Sequence, residues 1–424
     1  MRRQGGGAAV LVKRTAKYEL STKEGTTVLG VETPKSLFPR GLLHTSMVAH
    51  IAVQKFGLGV PLYRLEEHFA KSAIALDRGT MCHYLEQAGG TLGATVVHAM
   101  MRDAIENCCV LSTDATSALV QPEKSKNGLD QACNKGYFFT IVADCDHVLF
   151  SYTEKHDLDA VKKLFSGFTG YLQADASNVY DILDRGPPQD TEEQPNSGVK
   201  LVGCWGHCRR YFFDAAICKY AVAVRSLILI RAIFAADSAL HGLPPSKRKE
   251  LRNAHVRPLI DQFFEWVRAA KATMTGRNLA TSALGCAINQ ELELRRVLDD
   301  PRLPLDNTRS ERSLRKIVVG RKNWLFYGSN VHAESAAALF SIVASCRLHR
   351  LDPELYFDEI YRLLAKGSLP GTRSEILGKN PGTPQPKGTR RPNWALHHSS
   401  ALTPRQAKPS LCQFADGLRA ALTF

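Results

Sequence analysis

Three carboxylates far apart in the chain, Asp114, Asp175 and Glu311, have the surroundings from which chemistry could be built. Glu311 lies in PLDNTRSERSLRKIVVGRKNWLFYGS, residues 304–329, among Arg309, Arg312, Arg315, Lys316, Arg321 and Lys322. An acid held in so basic a surface suits a protein that grips phosphates and sets a metal ion against one of them. Asp114 closes the apolar run CVLST and Asp175 closes YLQA, so each is expected at the end of a strand. Two acids at strand ends and one on a basic helix are the layout of a metal-dependent phosphoryl-transfer site. Plainer readings stand beside this one. Glu311 has Arg315 at i+4, the spacing of a helix-surface ion pair, and Asp114 and Asp175 fit strand-end turns.

The elements that must position these acids read as β-β-β-α-β-α-β. CVLSTD (109–114), GYFFTIVAD (136–144) and HVLFSY (147–152) have the composition of strands, the last two joined by Cys145-Asp146 as a hairpin turn. LDAVKKLFSGF (158–168) has helical spacing, YLQAD (171–175) is a short buried-type strand, and SNVYDILD is a helix. After an acidic, Pro-rich loop (185–198), KLVGCW (200–205) gives a fifth strand. Three meandering strands followed by alternating helices and strands is the order of the ribonuclease-H-like fold. There the first and fourth strands are parallel neighbours, and the ends carrying Asp114 and Asp175 lie side by side. The expected class is therefore α/β, a ribonuclease-H-like catalytic core with an all-helical insertion, preceded by a helical domain.

That map assigns residues 1–35 to a truncated N-terminal segment and 36–106 to the helical domain. In it a helix, a polar turn and a helix opening Arg78-Gly79-Thr80 fit a helix-turn-helix DNA reader, and equally any three-helix cluster. Residues 107–206 form the first part of the core. Residues 207–300 form the insertion, whose Phe212, Phe213, Ile217, Phe263, Phe264 and Trp266 are expected to be buried. Residues 301–365 complete the core with the Glu311 helix, capped by Asp306 or Asn307, then an amphipathic helix over 333–350 and the run DPELYFDEIYRLLA. The stretch 366–424, rich in Pro, Gly, Ser and Arg, is expected to be disordered or degenerate.

Charge points to the partner. The 424 residues carry 55 Lys+Arg against 41 Asp+Glu, a net charge of +14 that attracts polyanions. The most apolar run, 221–236, contains Arg225 and Arg231 and is too short to span a bilayer, and the N-terminus lacks a secretory pattern. Nucleic acid, not a membrane, is the expected partner. The 11 cysteines are odd in number and scattered, which fits reduced thiols in a cytosol. CWGHC offers Cys204, His207 and Cys208, but no fourth zinc ligand stands at a plausible spacing. His207 either approaches a phosphate or caps the helix that follows, and Arg209 and Arg210 beyond it suit phosphate contacts. Arg309, Arg312, Lys316, Arg321, Lys322 and Trp324 combine charge with an aromatic, as a DNA-backbone or unpaired-base contact would. A solvated basic face with Trp324 in the core is the alternative.

These motifs carry a family resemblance. DNTRSERSLRKIVVGRKNWLFYGSNVHAESAAALFSIVASCRLHRLDPELYFDEIYRLL resembles the C-terminal signature of transposases of the insertion sequence 66 family. GYLQAD with GCWGHCRRYFFDA resembles the central signature, and FPRGLLHTSMVAHIAVQKFGLGVPLYRLEEHFAKSAIALDRGTMCHYL the helical segment ahead of it. The likeness covers roughly residues 30–365. Departures are Ala115-Thr116 after the first acid, where Glu-Thr is usual, and Asn307-Thr308 in place of paired asparagines. The N-terminal zinc-binding cysteines of the family also have no counterpart in VKRTAKYELS. The resemblance implies a DDE transposase in which Asp114, Asp175 and Glu311 hold two Mg2+ (or Mn2+) ions for strand cleavage and strand transfer at the ends of an insertion element. Cys204 and His207 resemble a Cys-x-x-His signature of several such enzymes, which implies support of the active site. Element ends and target DNA would be the partners, with a homo-oligomeric synaptic complex, accessory proteins of the same element and a cytoplasmic, nucleoid-associated location in a bacterium. A catalytically inactive DNA-binding relic is the alternative, and a host nuclease of the same fold a more distant one.

Overall fold

The computed structural model describes residues 2–4, 7–9, 17–22, 25–30, 37–38, 41–122, 132–144, 147–175, 177–184 and 198–366. The tail beyond Lys366, the acidic loop 185–197 and the Cys145-Asp146 turn lie outside them. Two antiparallel ribbons open the chain, β1 (Arg2–Gln4) with β2 (Gly7–Ala9) and β3 (Lys17–Thr22) with β4 (Gly25–Gly30). Four helices follow: α1 (Thr45–Ala52), α2 (Leu62–Ala70), α3 (Arg78–Leu92) and α4 (His98–Asn107). Asp77 starts α3 by accepting the backbone N–H of Thr80 at 2.9 Å. The connection from α2 to α3 runs over residues 71–77, longer than the roughly 3–4 residues of a helix-turn-helix.

A mixed sheet holds the centre. β5 (Val110–Val120) pairs antiparallel with β6 (Asn134–Ala143), which pairs antiparallel with β7 (His147–Thr153). After α5 (Leu158–Leu164), β8 (Gly170–Gln173) lies parallel on the other side of β5. The short α6 (Asp181–Asp184) then leads to β9 (Val199–Val202), parallel to β8. The spatial order is β7-β6-β5-β8-β9, and the sequence of strands is the one read from the chain.

One strand end is corrected. Asp114 does not close β5; it sits in the middle of a strand that runs on to Val120. The continuation Ala115–Val120 stays extended because β6 pairs along its whole length, from Leu111↔Ala143 to Val120↔Asn134. What stops near Asp114 is the parallel neighbour, whose last pair is Ser112↔Gln173. Further along the same side, β10 (Phe326–Tyr327) takes over at Leu119 and Val120. Between these partners β5 has a gap in its ladder, and Asp114 stands at its start.

The insertion is α7 (Trp205–Ile217), α8 (Ala221–Ser238), α9 (Pro245–Leu251), α10 (Arg257–Thr273), α11 (Leu279–Asn289) and α12 (Glu291–Arg295). It has its own core, in which Trp205 and Phe263 meet edge to face at 5.2 Å and Phe263 and Phe264 at 5.1 Å. Phe212, Phe263 and Phe264 are buried and Trp266 partly so, but Phe213 and Ile217 are 55% and 66% exposed. Adjacent helical residues point about 100° apart, so the stripe that buries Phe212 and Ala215 turns Phe213 and Ile217 outward.

The chain returns to the sheet through α13 (Thr308–Trp324), α14 (Asn330–Leu348) and α15 (Pro353–Lys366). The helix read as amphipathic, α14, is instead buried nearly all round, between α3 on one side and β7 on the other. Its serines explain why: Ser341 and Ser345 Oγ accept the N–H groups of Phe150 and Val148 at 2.8 and 3.1 Å, covering the edge strand. Close approach to α3 depends on Gly89, where a Cβ would come within 2.3 Å of the Ser335 carbonyl oxygen. One apolar cluster runs from α1–α4 through the sheet to α13–α15. No helix among the described residues is long and apolar enough to cross a membrane.

Candidate active site

The parallel register places the first two acids. Ser112 faces Gln173 in the last β5–β8 pair, so two residues further on Asp114 and Asp175 emerge from adjacent strands. Asp114 Oδ1 accepts the N–H of Ala115 at 2.8 Å, and Asp175 Oδ1 that of Ser177 at 3.3 Å. The third acid is delivered by the segment before α13. Gln173, fully buried, donates to the Pro304 carbonyl at 2.8 Å, and the Trp205 N–H donates to Leu305 at 2.9 Å. Asn307 then caps α13 by position while its Nδ2 donates to the Thr113 carbonyl at 2.6 Å and its N–H to Cys204 Sγ at 3.3 Å. One side chain thus joins the strand of Asp114 to the helix of Glu311.

Glu311 is 36% exposed, with Oε1 at 3.6 Å from His207 Nε2 and 3.8 Å from Arg210 Nη2. It forms no ion pair with Arg315 among the described residues; His207 and Arg210, its close neighbours, come from α7, across the site. Burial, then the charges of Asp175 and Glu311, push the Asp114 carboxyl up to about 6; the Ala115 N–H and Arg210 pull it back. The three acids share one electrostatic field. Among the described residues, however, no three His, Cys, Asp or Glu side chains close into a metal-holding group.

His207 stands in the first turn of α7, where Cys204 is the N-cap residue, so the imidazole faces Glu311 instead of capping. Its Nδ1 is buried without a hydrogen-bond partner. A cavity of about 10 Å3 adjoins it, lined by Cys204, Cys208, Tyr211 and Cys286 among others, a size at the threshold for one water molecule. Burial pushes the Cys204 thiol up to about 11 and Cys208 higher still, so neither supplies a thiolate near neutrality.

The basic residues divide into two groups. Arg309, Arg312, Lys316 and Lys322 are exposed along α13, and Arg209 and Arg210 are exposed on α7. Arg321 turns inward and donates to Thr116 Oγ1 at 2.9 Å and to the Ser117 carbonyl. With Asn307 on Thr113, it satisfies carbonyls along the gap in β5. Trp324 packs edge to face on Phe56 at 6.4 Å with Lys55 Nζ 4.8 Å from its ring centre, which supports the core placement over a surface one. Sequence reasoning offered Asn307 as a cap but missed its bond to Thr113, and it missed Gln173 and the inward role of Arg321. Only Gln173 had a local signal, a polar residue inside an otherwise apolar strand.

The fold and site together define a mixed α/β protein with a basic-rimmed cluster of three acids. Its sequence matches the model of the Transposase IS66 family over residues 40–335, and the chain belongs to that family. A transposase-type function, with DNA as partner, follows from that membership. Three proteins of Sinorhizobium fredii (strain NBRC 101917 / NGR234) are similar to it. "Uncharacterized protein y4qI" is 25% identical over 377 residues, 87% of this chain and 68% of that protein. "Uncharacterized protein y4hP" is 24% identical over 84% of this chain and 65% of its own length. "Uncharacterized protein y4jD" is 23% identical over 87% and 72%. The chain therefore spans about two thirds of the length of these relatives.

Proposed function

We propose that this chain is a DDE transposase with a ribonuclease-H-like core, cleaving DNA phosphodiester bonds at the ends of an insertion element and transferring the freed strand to target DNA. One observation carries the reading. Asp114, Asp175 and Glu311, from three distant segments, meet in one field, where burial first and then the charges of Asp175 and Glu311 push Asp114 up to about 6. Like charges gathered in a partly buried place are suited to a cation from solution.

The donor set fits magnesium or manganese, hard ions that take carboxylate oxygens and retain water. The absence of a closed three-donor group among the described residues fits ions that take the rest of their shell from water and phosphate. Asp114, Asp175 and Glu311 would hold the ions. When bound, such ions supply Lewis acidity for in-line displacement at phosphorus. The protein's own residues do the positioning. Asn307 fixes the start of the Glu311 helix to β5, and Gln173 of β8 holds the segment before it. Arg210 and His207 lie beside Glu311 and would contact a scissile phosphate bound there. Arg309, Arg312, Lys316 and Lys322 offer exposed charges to the flanking backbone. On this reading Arg321 and Trp324 support the site from within. Element ends would be paired in a homo-oligomeric complex, with accessory proteins of the same element.

The test is incubation of purified protein with a duplex carrying the element end and a target duplex, with Mg2+ or with EDTA. Denaturing gels should show metal-dependent nicking and strand-transfer products. Retarded migration of the duplex on native gels, with no cleavage in any metal, would instead indicate a DNA-binding relic.

A further inference from the structure

We propose that Cys82, His332 and Glu86 form a base-assisted thiol nucleophile, a modification site for small soft carbon electrophiles that is separate from the carboxylate cluster. Cys82 and Glu86 lie one turn apart on α3, and His332 reaches them from the first turn of α14. His332 Nε2 is 2.7 Å from Cys82 Sγ, and Nδ1 is 2.7 Å from Glu86 Oε2. An ionised Glu86 can only accept, so Nδ1 carries the ring hydrogen. Nε2 is then the acceptor, and the thiol must donate to it. Nucleophile, base and orienting carboxylate are thus in a line, the arrangement by which a side chain is activated for attack.

The line is held rigidly. Gly89 brings the two helix backbones into contact, and Ser335 Oγ donates to the Glu86 carbonyl at 3.0 Å. It is also reachable from solvent: Cys82 is partly exposed, and the side chains of His332 and Glu86 are 21% and 34% exposed. The charged groups facing it are Lys55, from the helical turn after α1, together with His83 and Glu86 on α3. Burial raises the Cys82 thiol, against Lys55, which lowers it. Burial lowers the His332 imidazole, with Lys55 and His83, against Glu86. Thiol and imidazole are both neutral at rest, and the proton moves at the moment of attack.

With an α-haloamide the step balances. Sulfur forms the S–C bond as the C–I bond breaks, iodide leaves, and the thiol proton passes to Nε2 and then to water. Glu86 stabilises the imidazolium in between. Cys204, Cys208 and Cys346 are buried with thiols raised, and Cys218 is exposed.

The test treats the full chain with limiting iodoacetamide between pH 6 and 8.5 and follows each cysteine by peptide mass spectrometry. Cys82 should react at least about tenfold faster than Cys218 near pH 6.5, because a base in place is worth about 10²–10⁴. Its rate should fall less steeply than that of Cys218 as pH is lowered, since a neutral imidazole accepts the thiol proton. His332→Gln should bring the Cys82 rate down to that of Cys218 or below without altering Cys218. Glu86→Gln should give an intermediate fall and covers the case in which His332→Gln does not fold. A Cys82 rate no greater than that of Cys218 in the parent chain, or one unchanged in both variants, overturns the proposal.

Discussion

Two acids in this molecule, buried Asp237 in the insertion and half-buried Asp114 in the sheet, meet opposite treatment. Asp237 accepts from Arg252 Nε at 2.6 Å and from Arg248 Nη2 at 3.2 Å. Arg252, only 1% exposed, spends its other donors on the carbonyls of Val297, Asp300 and Leu303. That pair is complete within the protein, and it ties α8 and the turn before α10 to the segment that leads to Glu311. Among the described residues Asp114 has the Ala115 N–H as donor, two acidic neighbours and the charge of Arg210. A carboxylate closed off by cations holds a fold together, whereas on the proposed reading one set beside like charges receives a cation from solution. The difference separates a structural acid from a candidate ligand without reference to ancestry.

The sharpest contrast is in activity. Asp114→Asn, Asp175→Asn or Glu311→Gln should each lower strand cleavage by roughly a thousandfold or more, the effect of losing several kcal/mol of metal-centred stabilisation. DNA binding on native gels should hold, because the amides keep the bulk and the basic face is untouched. Cleavage within tenfold of the parent in any one of them removes that acid from the site. In the insertion the order reverses. Arg252→Ala leaves the Asp237 charge buried and three carbonyls unpaired, and should cost about 3–5 kcal/mol in urea unfolding. A loss below about 1 kcal/mol would mean that the pair is solvated and that the contrast with Asp114 fails.

Much of this was legible in the chain. Apolar runs of strand length, and the acids just after them, gave the strand order and put Asp114 beside Asp175 through the parallel register. The basic helix announced Glu311. What could not be read were outcomes of contacts between distant segments. β5 overran its expected end because β6 supplied partners, Phe213 and Ile217 faced outward because α7 needs only one buried stripe, and α14 lost its polar face to β7 and α3. Arg252 reads as an ordinary helix-surface cation until the fold encloses it, and Arg321 as part of a basic patch until it meets Ser117.

Proton linkage gives a smaller, signed effect. The Asp114 carboxyl is raised from an ordinary 3.8 to about 6, chiefly by burial and then by Asp175 and Glu311. The folded state therefore holds this proton more tightly than the unfolded chain does. The stability it contributes is complete below about pH 4 and is lost as pH rises through about 6. In EDTA, urea unfolding of the parent should lose on the order of 2–3 kcal/mol across that window relative to Asp114→Asn. At pH 7, Mg2+ should stabilise the parent more than the variant. Equal pH dependence in the two proteins would show that Asp114 titrates as an ordinary carboxylate.

The smallest effect belongs to Asn307, a buried residue outside the three acids. Its Nδ2 donor holds the Thr113 carbonyl, next to Asp114, and its position opens the helix that carries Glu311. Asn307→Ala leaves a buried carbonyl unpaired and should cost about 1–3 kcal/mol, less than Arg252→Ala because no charge is stranded. Cleavage should fall by more than that loss of folded population explains, since α13 would be free to shift Glu311 relative to Asp114 and a small misplacement costs on the order of a hundredfold. Raising Mg2+ should recover part of the activity, as it would for a ligand that is present but displaced, and should recover none in Glu311→Gln. If Asn307→Ala lost stability yet cleaved in proportion to its folded fraction, the contact would belong with Asp237 and Arg252 as fold support, not with the acids.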